Sequence, residues 1–132
     1  MEYKDYRDYR DYRDYMYDDL EKREENLKVI AEIAGDMFDD FLEKTQRQYE
    51  RGSLYLVAEL EVNDELENYI EMDKEELKVF YATTLRTLKK FLGDDLNGMG
   101  IFESYSITEK VKYSYTGKVK KIILTVETIV KS

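Results

Sequence analysis

Residues 54–62 read Leu54-Tyr55-Leu56-Val57-Ala58-Glu59-Leu60-Glu61-Val62, and the period of this stretch decides the fold class. Apolar side chains at 54, 56, 58, 60 and 62 alternate with outward positions, two of them glutamates. That is the pattern of a strand buried on one face. Upstream the period changes. From Leu27 through Ile30, Ala31, Ala34, Met37, Phe38, Phe41 and Leu42 the apolar residues recur every three or four positions, which is helical spacing. The spacing predicts a helix from about Asp18 to Tyr49, with Asp18 and Asp19 suited to its N-terminus and Gly52 to its stop.

Downstream, Asn63-Asp64 reads as a turn and residues 65–71 alternate weakly. Leu66 and Ile70 fall on one side, and Glu65, Glu67 and Glu71 on the other, so a second strand is expected there. Asp73-Lys74-Glu75-Glu76 places an N-cap three residues before a glutamate, a capping-box pattern. Leu77, Phe80, Tyr81, Thr84, Leu88, Phe91 and Leu92 then continue at helical spacing. Lys89 and Lys90 complement the dipole in the last turn, Gly93 suits the C′ position, and 94–100 reads as a loop. Residues 102–115 and 119–130 alternate again and are rich in β-branched and aromatic residues. Thr116-Gly117 reads as the turn between them, and Ile122, Leu124, Val126 and Val130 as core.

The expected architecture is α+β. Two helices pack on one face of a three- or four-stranded antiparallel sheet, in the order α-β-β-α-β-β. Residues 18–132 form a single domain, preceded by an arm at 1–17 that is extended or a frayed helix. Rotating that element order cyclically gives a ferredoxin-like order. A helix of about 30 residues would be about 45 Å long against about 30 Å for a nine-residue strand. The first helix therefore overhangs the sheet, and its band from Leu27 to Leu42 leaves room for a homodimer contact.

The composition excludes several chemistries. The 132 residues contain no His and no Cys. Cys/His zinc sites, Ser-His and Cys-His nucleophile pairs and disulfides are therefore ruled out. The usual general base near neutral pH is missing as well. No apolar run reaches the length of a membrane span. Met1-Glu2-Tyr3-Lys4-Asp5 lacks the cationic-then-apolar pattern of a signal peptide, so a cytoplasmic location is expected. Net charge is −9 and unevenly spread: −6 over residues 1–53, −6 over 54–100 and +3 over 101–132.

Four features are candidates for function, and each has a plainer reading. Residues 5–15 repeat Asp-Tyr-Arg, with Tyr6, Tyr9, Tyr12 and Tyr15 in the repeat. Tyr offers contact area at low entropic cost, so this arm could adhere to a partner. It could equally be a tolerated repeat. Residues 1–19 carry four basic and seven acidic groups, a balance that disfavours phosphate binding. The stretch 59–76 holds nine carboxylates against Lys74 alone: Glu59, Glu61, Asp64, Glu65, Glu67, Glu71, Asp73, Glu75 and Glu76. Such a row can imitate phosphates before a basic partner, or simply keep a surface solvated. In the C-terminal hairpin, Lys110, Lys112, Lys118, Lys120 and Lys121 surround Tyr113 and Tyr115. This mixture can hold single strands or protect strand edges.

The fourth candidate is a hard-metal site, and no complete ligand set supports one. Glu59, Glu61 and Asp64 lack a partnering Lys. Asp36, Asp39, Asp40 and Glu43 share a helix side that reads as solvated. The segment Asp95-Leu96-Asn97-Gly98 has Ile107 where a calcium loop needs Glu. No cofactor and no metal is expected. The expected function is a non-enzymatic protein-binding module that presents residues 59–76 to a basic protein partner. The class in mind is the phage-type inhibitor of nucleic-acid-handling enzymes, anti-CRISPR-like or DNA-mimicking. The alternatives are a single-strand binder using the hairpin and an assembly protein using the arm and long helix. Nucleic acid is disfavoured as the partner, and no membrane contact is expected.

Overall fold

The computed structural model describes residues 2–62, 66 and 69–132, with the side chains of the first helix described from Glu21 onward. That helix, α1, runs Glu2–Glu50. The start expected at Asp18 therefore lies inside it. The repeat contains no Gly or Pro, so nothing in its backbone chemistry breaks a helix. The side chains of Tyr6, Tyr9, Tyr12 and Tyr15 lie outside the described set. α1 enters the core at Ile30, and Ile30, Ile33, Ala34, Met37, Phe41 and Thr45 form its buried stripe. Residues 21–29 are all exposed, including Leu27 and Val29. At 1.5 Å per residue α1 is about 73 Å long, so the expected overhang is larger than the sequence indicated.

The helix ends as Gly52 predicts. Gly52 has φ +81° and its N–H donates to the Tyr49 carbonyl at 2.9 Å, while the Ser53 N–H donates to the Gln48 carbonyl at 3.0 Å. These two bonds are a Schellman cap. β1, Tyr55–Glu61, follows at once.

The second helical rod has three consecutive parts: α2 (Lys74–Phe80), a π turn (Tyr81–Leu85) and α3 (Arg86–Gly98). Its capping box forms as the sequence indicates. The Asp73 carboxylate accepts from the Glu76 N–H at 2.8 Å, and the Glu76 carboxylate accepts from the Asp73 N–H at 3.4 Å. The π turn has a packing reason. Phe80 and Leu85 are five apart, so a regular α-helix would turn them to different faces. The wider turn brings both into the core beside Thr84 and Leu88.

The helix end expected at Gly93 is corrected. Leu88, Leu92 and Leu96 continue the buried stripe at i, i+4 and i+8, and their burial carries the helix to Gly98. Gly93 serves a different purpose. A Cβ there would collide with the Tyr105 hydroxyl and lie 2.9 Å from its Cζ, so the glycine lets β2 approach the helix.

β2 (Phe102–Tyr113) and β3 (Val119–Val130) complete an antiparallel sheet of order β1-β3-β2. The turn between them includes Thr116 and Gly117, with Gly117 at φ +84°. The expected α-β-β-α-β-β order becomes α-β-α-β-β, which removes the ferredoxin-like order. No strand occurs among the described residues of 65–71. Leu66 and Tyr69 are buried three residues apart, and the Tyr69 hydroxyl donates to the Val62 carbonyl. The chain then turns at Tyr69–Met72 and rejoins the sheet beside the start of β3. There the Glu71 N–H donates to the Val119 carbonyl and the Val119 N–H to the Met72 carbonyl.

The inner sheet face carries Leu56, Ala58 and Leu60 of β1 and Ile122, Leu124, Val126 and Thr128 of β3, all buried. α1 packs against α3 and β1, and α3 against β2. Phe41 of α1 meets Phe102 of β2 edge-on at 6.3 Å. Among the described residues no helix packs on the opposite sheet face.

Candidate functional site

The described acidic residues of 59–76 lie on three elements. The structure divides them. Asp73 and Glu76 are committed to the capping box. Glu75 pairs with Lys78 at 3.5 Å with both side chains largely exposed, a contact of little energetic weight. Glu71 sits in the Tyr69–Met72 turn, and Glu59 and Glu61 stand on β1. Asp64, Glu65 and Glu67 lie outside the described residues.

Another acidic surface is built around α1. Asp36 and Asp40, one turn apart, share a cleft of about 190 Å³ with Glu61, and Ile33 and Met37 complete its lining. One ion pair reaches this group, Lys44 to Asp40 at 3.2 Å, and the same ammonium donates to the Glu59 carbonyl at 3.0 Å. On the other side of α1, Asp39 faces the end of α3. Burial first, and then the charges of Asp94 and Asp39, push the Asp95 carboxyl above its ordinary value. α1 therefore carries two acidic groupings, one shared with Glu61 of β1 and one with Asp95 of α3. Sequence reasoning saw that Asp36, Asp39 and Asp40 share a helix side. It could not see that Glu61 and Asp95 come to meet them, because no periodicity encodes that adjacency.

A second site lies at the hairpin tip. A cavity of about 470 Å³ opens between the Tyr69–Met72 turn and the hairpin tip. It is lined by Glu71, Tyr113, Tyr115, Lys118 and Lys120, with Ile70 and Val119 among its apolar walls. Lys121 is outside this set and pairs across the ladder with Lys112. Glu71 has φ +70°, the left-handed region that disfavours a residue with a Cβ. Nearby, Lys89 of α3 holds Glu109 of β2 at 2.7 Å. Burial, followed by the charges of Glu109 and Tyr113, pushes the Tyr81 hydroxyl up to about 12.

Among the described residues no group of three or more Asp, Glu, His or Cys is arranged to hold a metal ion, and no helix is long and apolar enough to cross a membrane. No family model, no curated protein and no solved structure matches the chain.

Proposed function

We propose that the protein is a non-enzymatic binding module whose α1 flank engages a basic protein partner. The observation that carries this reading is the cleft in which Asp36, Asp40 and Glu61, from two elements, surround Ile33 and Met37. Such a cleft suits an Arg or Lys side chain. The aliphatic stem packs on the apolar residues while the cation meets carboxylates in charge-assisted hydrogen bonds. Asp39, Asp94 and Asp95 extend the same potential across the neighbouring surface and would speed encounter with a basic partner. Spaced carboxylates on a rigid helix also support the finer form of the reading, a phage-type inhibitor standing in for nucleic acid.

The test is charge reversal. Asp36→Lys, Asp40→Lys and Glu61→Lys together should abolish binding of an arginine-rich probe peptide and of a partner captured from host lysate. Wild-type binding should weaken steeply with salt. Equal binding by the triple variant and the wild type would overturn the reading. Glu21→Lys, Glu24→Lys and Glu25→Lys together, exposed and outside the cleft, serve as the charge-matched control.

A second reading has its own observation, the meeting of Tyr113, Tyr115, Lys118 and Lys120 around the hairpin cavity. Aromatic faces beside cations suit the bases and phosphates of a single strand. Here Lys118→Ala with Lys120→Ala should reduce oligonucleotide affinity. No oligonucleotide binding by the intact chain at low salt would remove this reading.

A further inference from the structure

The two edges of the sheet differ in how their backbone groups are satisfied. On β1 side chains meet the outward groups of Tyr55 and Val57 and the Glu59 carbonyl. The Ser53 hydroxyl donates to the Tyr55 carbonyl at 2.7 Å and accepts from the Tyr55 N–H at 3.2 Å. The Gln48 amide imitates a neighbouring strand, donating to the Val57 carbonyl and accepting from the Val57 N–H, both at 3.0 Å. Lys44 takes the Glu59 carbonyl.

β2 has no such cover. Val130 donates to Leu54 and Val62 donates to Ile122, so the even-numbered residues of β3 bond toward β1. Its odd-numbered residues therefore bond toward β2, where Glu127, Thr125 and Ile123 oppose Ser106, Thr108 and Lys110. The N–H and C=O groups of Tyr105, Ile107, Glu109 and Val111 point away from the sheet. Among the described residues no hydrogen bond meets them. No Pro, Gly or bulge interrupts Ser104–Lys112; the irregularities lie just outside, between Phe102 and Ser104 and between Lys112 and Tyr113. A long uninterrupted edge of this kind is a template for another strand.

We propose that a second copy of the chain covers this edge, with β2 pairing antiparallel to β2 about a two-fold axis through Thr108. The two sheets would join into one of six strands. The register follows from geometry and charge. Thr108 is the midpoint of the regular segment Ser104–Lys112, so this axis uses all of it. The axis sets Tyr105 against the partner's Val111, an aromatic–β-branched pair, and Lys110 and Lys112 against the partner's Ser106 and Ser104. Shifting the axis to Glu109 or Lys110 puts like charges face to face, and shifting it to Val111 sets Lys110 against Lys112. Moving it to Ile107 leaves the Lys112 end beyond the partner's regular segment. The pairing would form about eight inter-chain hydrogen bonds from groups that are otherwise uncovered. This inference concerns the β2 edge, on the opposite side of the sheet from β1, and its failure leaves the proposed function untouched.

The chain has no cysteine, so each single-cysteine variant reports on one position. Thr108→Cys would place two thiols across the axis in a non-hydrogen-bonded pair, with Cα atoms about 4.5 Å apart, within disulfide reach. Under mild oxidation it should cross-link at least on the order of tenfold faster than Thr125→Cys, its neighbour on the central strand, because the pair is pre-positioned. Ser106→Cys and Lys110→Cys should each cross-link slowly alone and rapidly when mixed. Sedimentation of the unmodified chain should show a dimer, and Ile107→Pro, which removes one outward N–H, should shift it to monomer. Equal rates for Thr108→Cys and Thr125→Cys, or a monomer at every concentration of the unmodified chain, would overturn the proposal. A monomer that instead binds an extended peptide along β2 would identify a different occupant and equally overturn it.

Discussion

β1 and β2 flank the same central strand, and both present alternate backbone groups sideways. On β1, Ser53, Gln48 and Lys44 satisfy those of Tyr55 and Val57 and the Glu59 carbonyl; on β2, nothing among the described residues does so. Charge follows the same division, with carboxylates on the α1 and β1 side and lysines toward the hairpin. The contrast shows that closing an edge takes specific polar residues at specific places. Lys44 and Gln48 sit four apart on α1, just past its apolar stripe, where they reach the strand. No equivalent residues of α3 reach the backbone of β2: its closest polar contact, Lys89, goes to the Glu109 carboxylate instead.

The comparison is most severely tested by removing what holds α1 over β1. Phe41 is fully buried and packs edge-on against Phe102. Phe41→Ala should cost about 3–5 kcal/mol in denaturant unfolding. A loss below about 1 kcal/mol would mean that α1 is not docked as described. Next is the seal itself. Gln48→Ala leaves both polar groups of Val57 without their partner and should cost about 1–3 kcal/mol. It should also make β1 a second site of self-association. Thr108→Ala on the open edge should change monomer stability by no more than about 0.5 kcal/mol.

Smaller effects sharpen the picture. Glu71 occupies a left-handed position in its turn, so Glu71→Gly should stabilise the fold by about 1 kcal/mol, by relieving that conformation. If the Glu71 side chain serves the hairpin cavity, the same variant should lose ligand there while gaining stability. The smallest effect expected is at Asp95, whose folded pKa is raised. A raised carboxyl favours the folded state while protonated, and that contribution is lost as pH rises from the ordinary Asp value through the folded one. Asp95→Asn should therefore raise the melting temperature near neutral pH, with the gain disappearing in acid below the Asp range. A gain independent of pH would point to a cause other than charge.

Much of the fold was legible in local pattern. The alternation of 54–62 and 119–130, the capping box at Asp73–Glu76, the stop at Gly52 and the turn at Thr116-Gly117 each rest on neighbouring residues, and each appears. The failures involve residues whose partners are distant in sequence. Gly93 has the local chemistry of a helix end, yet its small size serves Tyr105 of another element. Residues 65–71 alternate faintly, but the burial of Leu66 and Tyr69 and the rejoining of the chain at Val119 override that signal. The described carboxylates of the acidic run 59–76 fall on β1, on the Tyr69–Met72 turn and at the start of α2. The acidic groupings that do assemble join Asp36 and Asp40 to Glu61, and Asp39 to Asp95, across elements. Side-chain closure of β1 was equally hidden, since nothing local to Gln48 marks it as a substitute strand.

Amide hydrogen exchange, followed residue by residue at two protein concentrations, tests the contrast between the edges most directly. The Val57 amide, held by Gln48, should exchange slowly at both concentrations. The outward amides of Tyr105, Ile107, Glu109 and Val111 should exchange rapidly in dilute solution and become protected as concentration rises. Protection of those β2 amides at every concentration, or rapid exchange at Val57, would contradict the account of one closed edge and one open one.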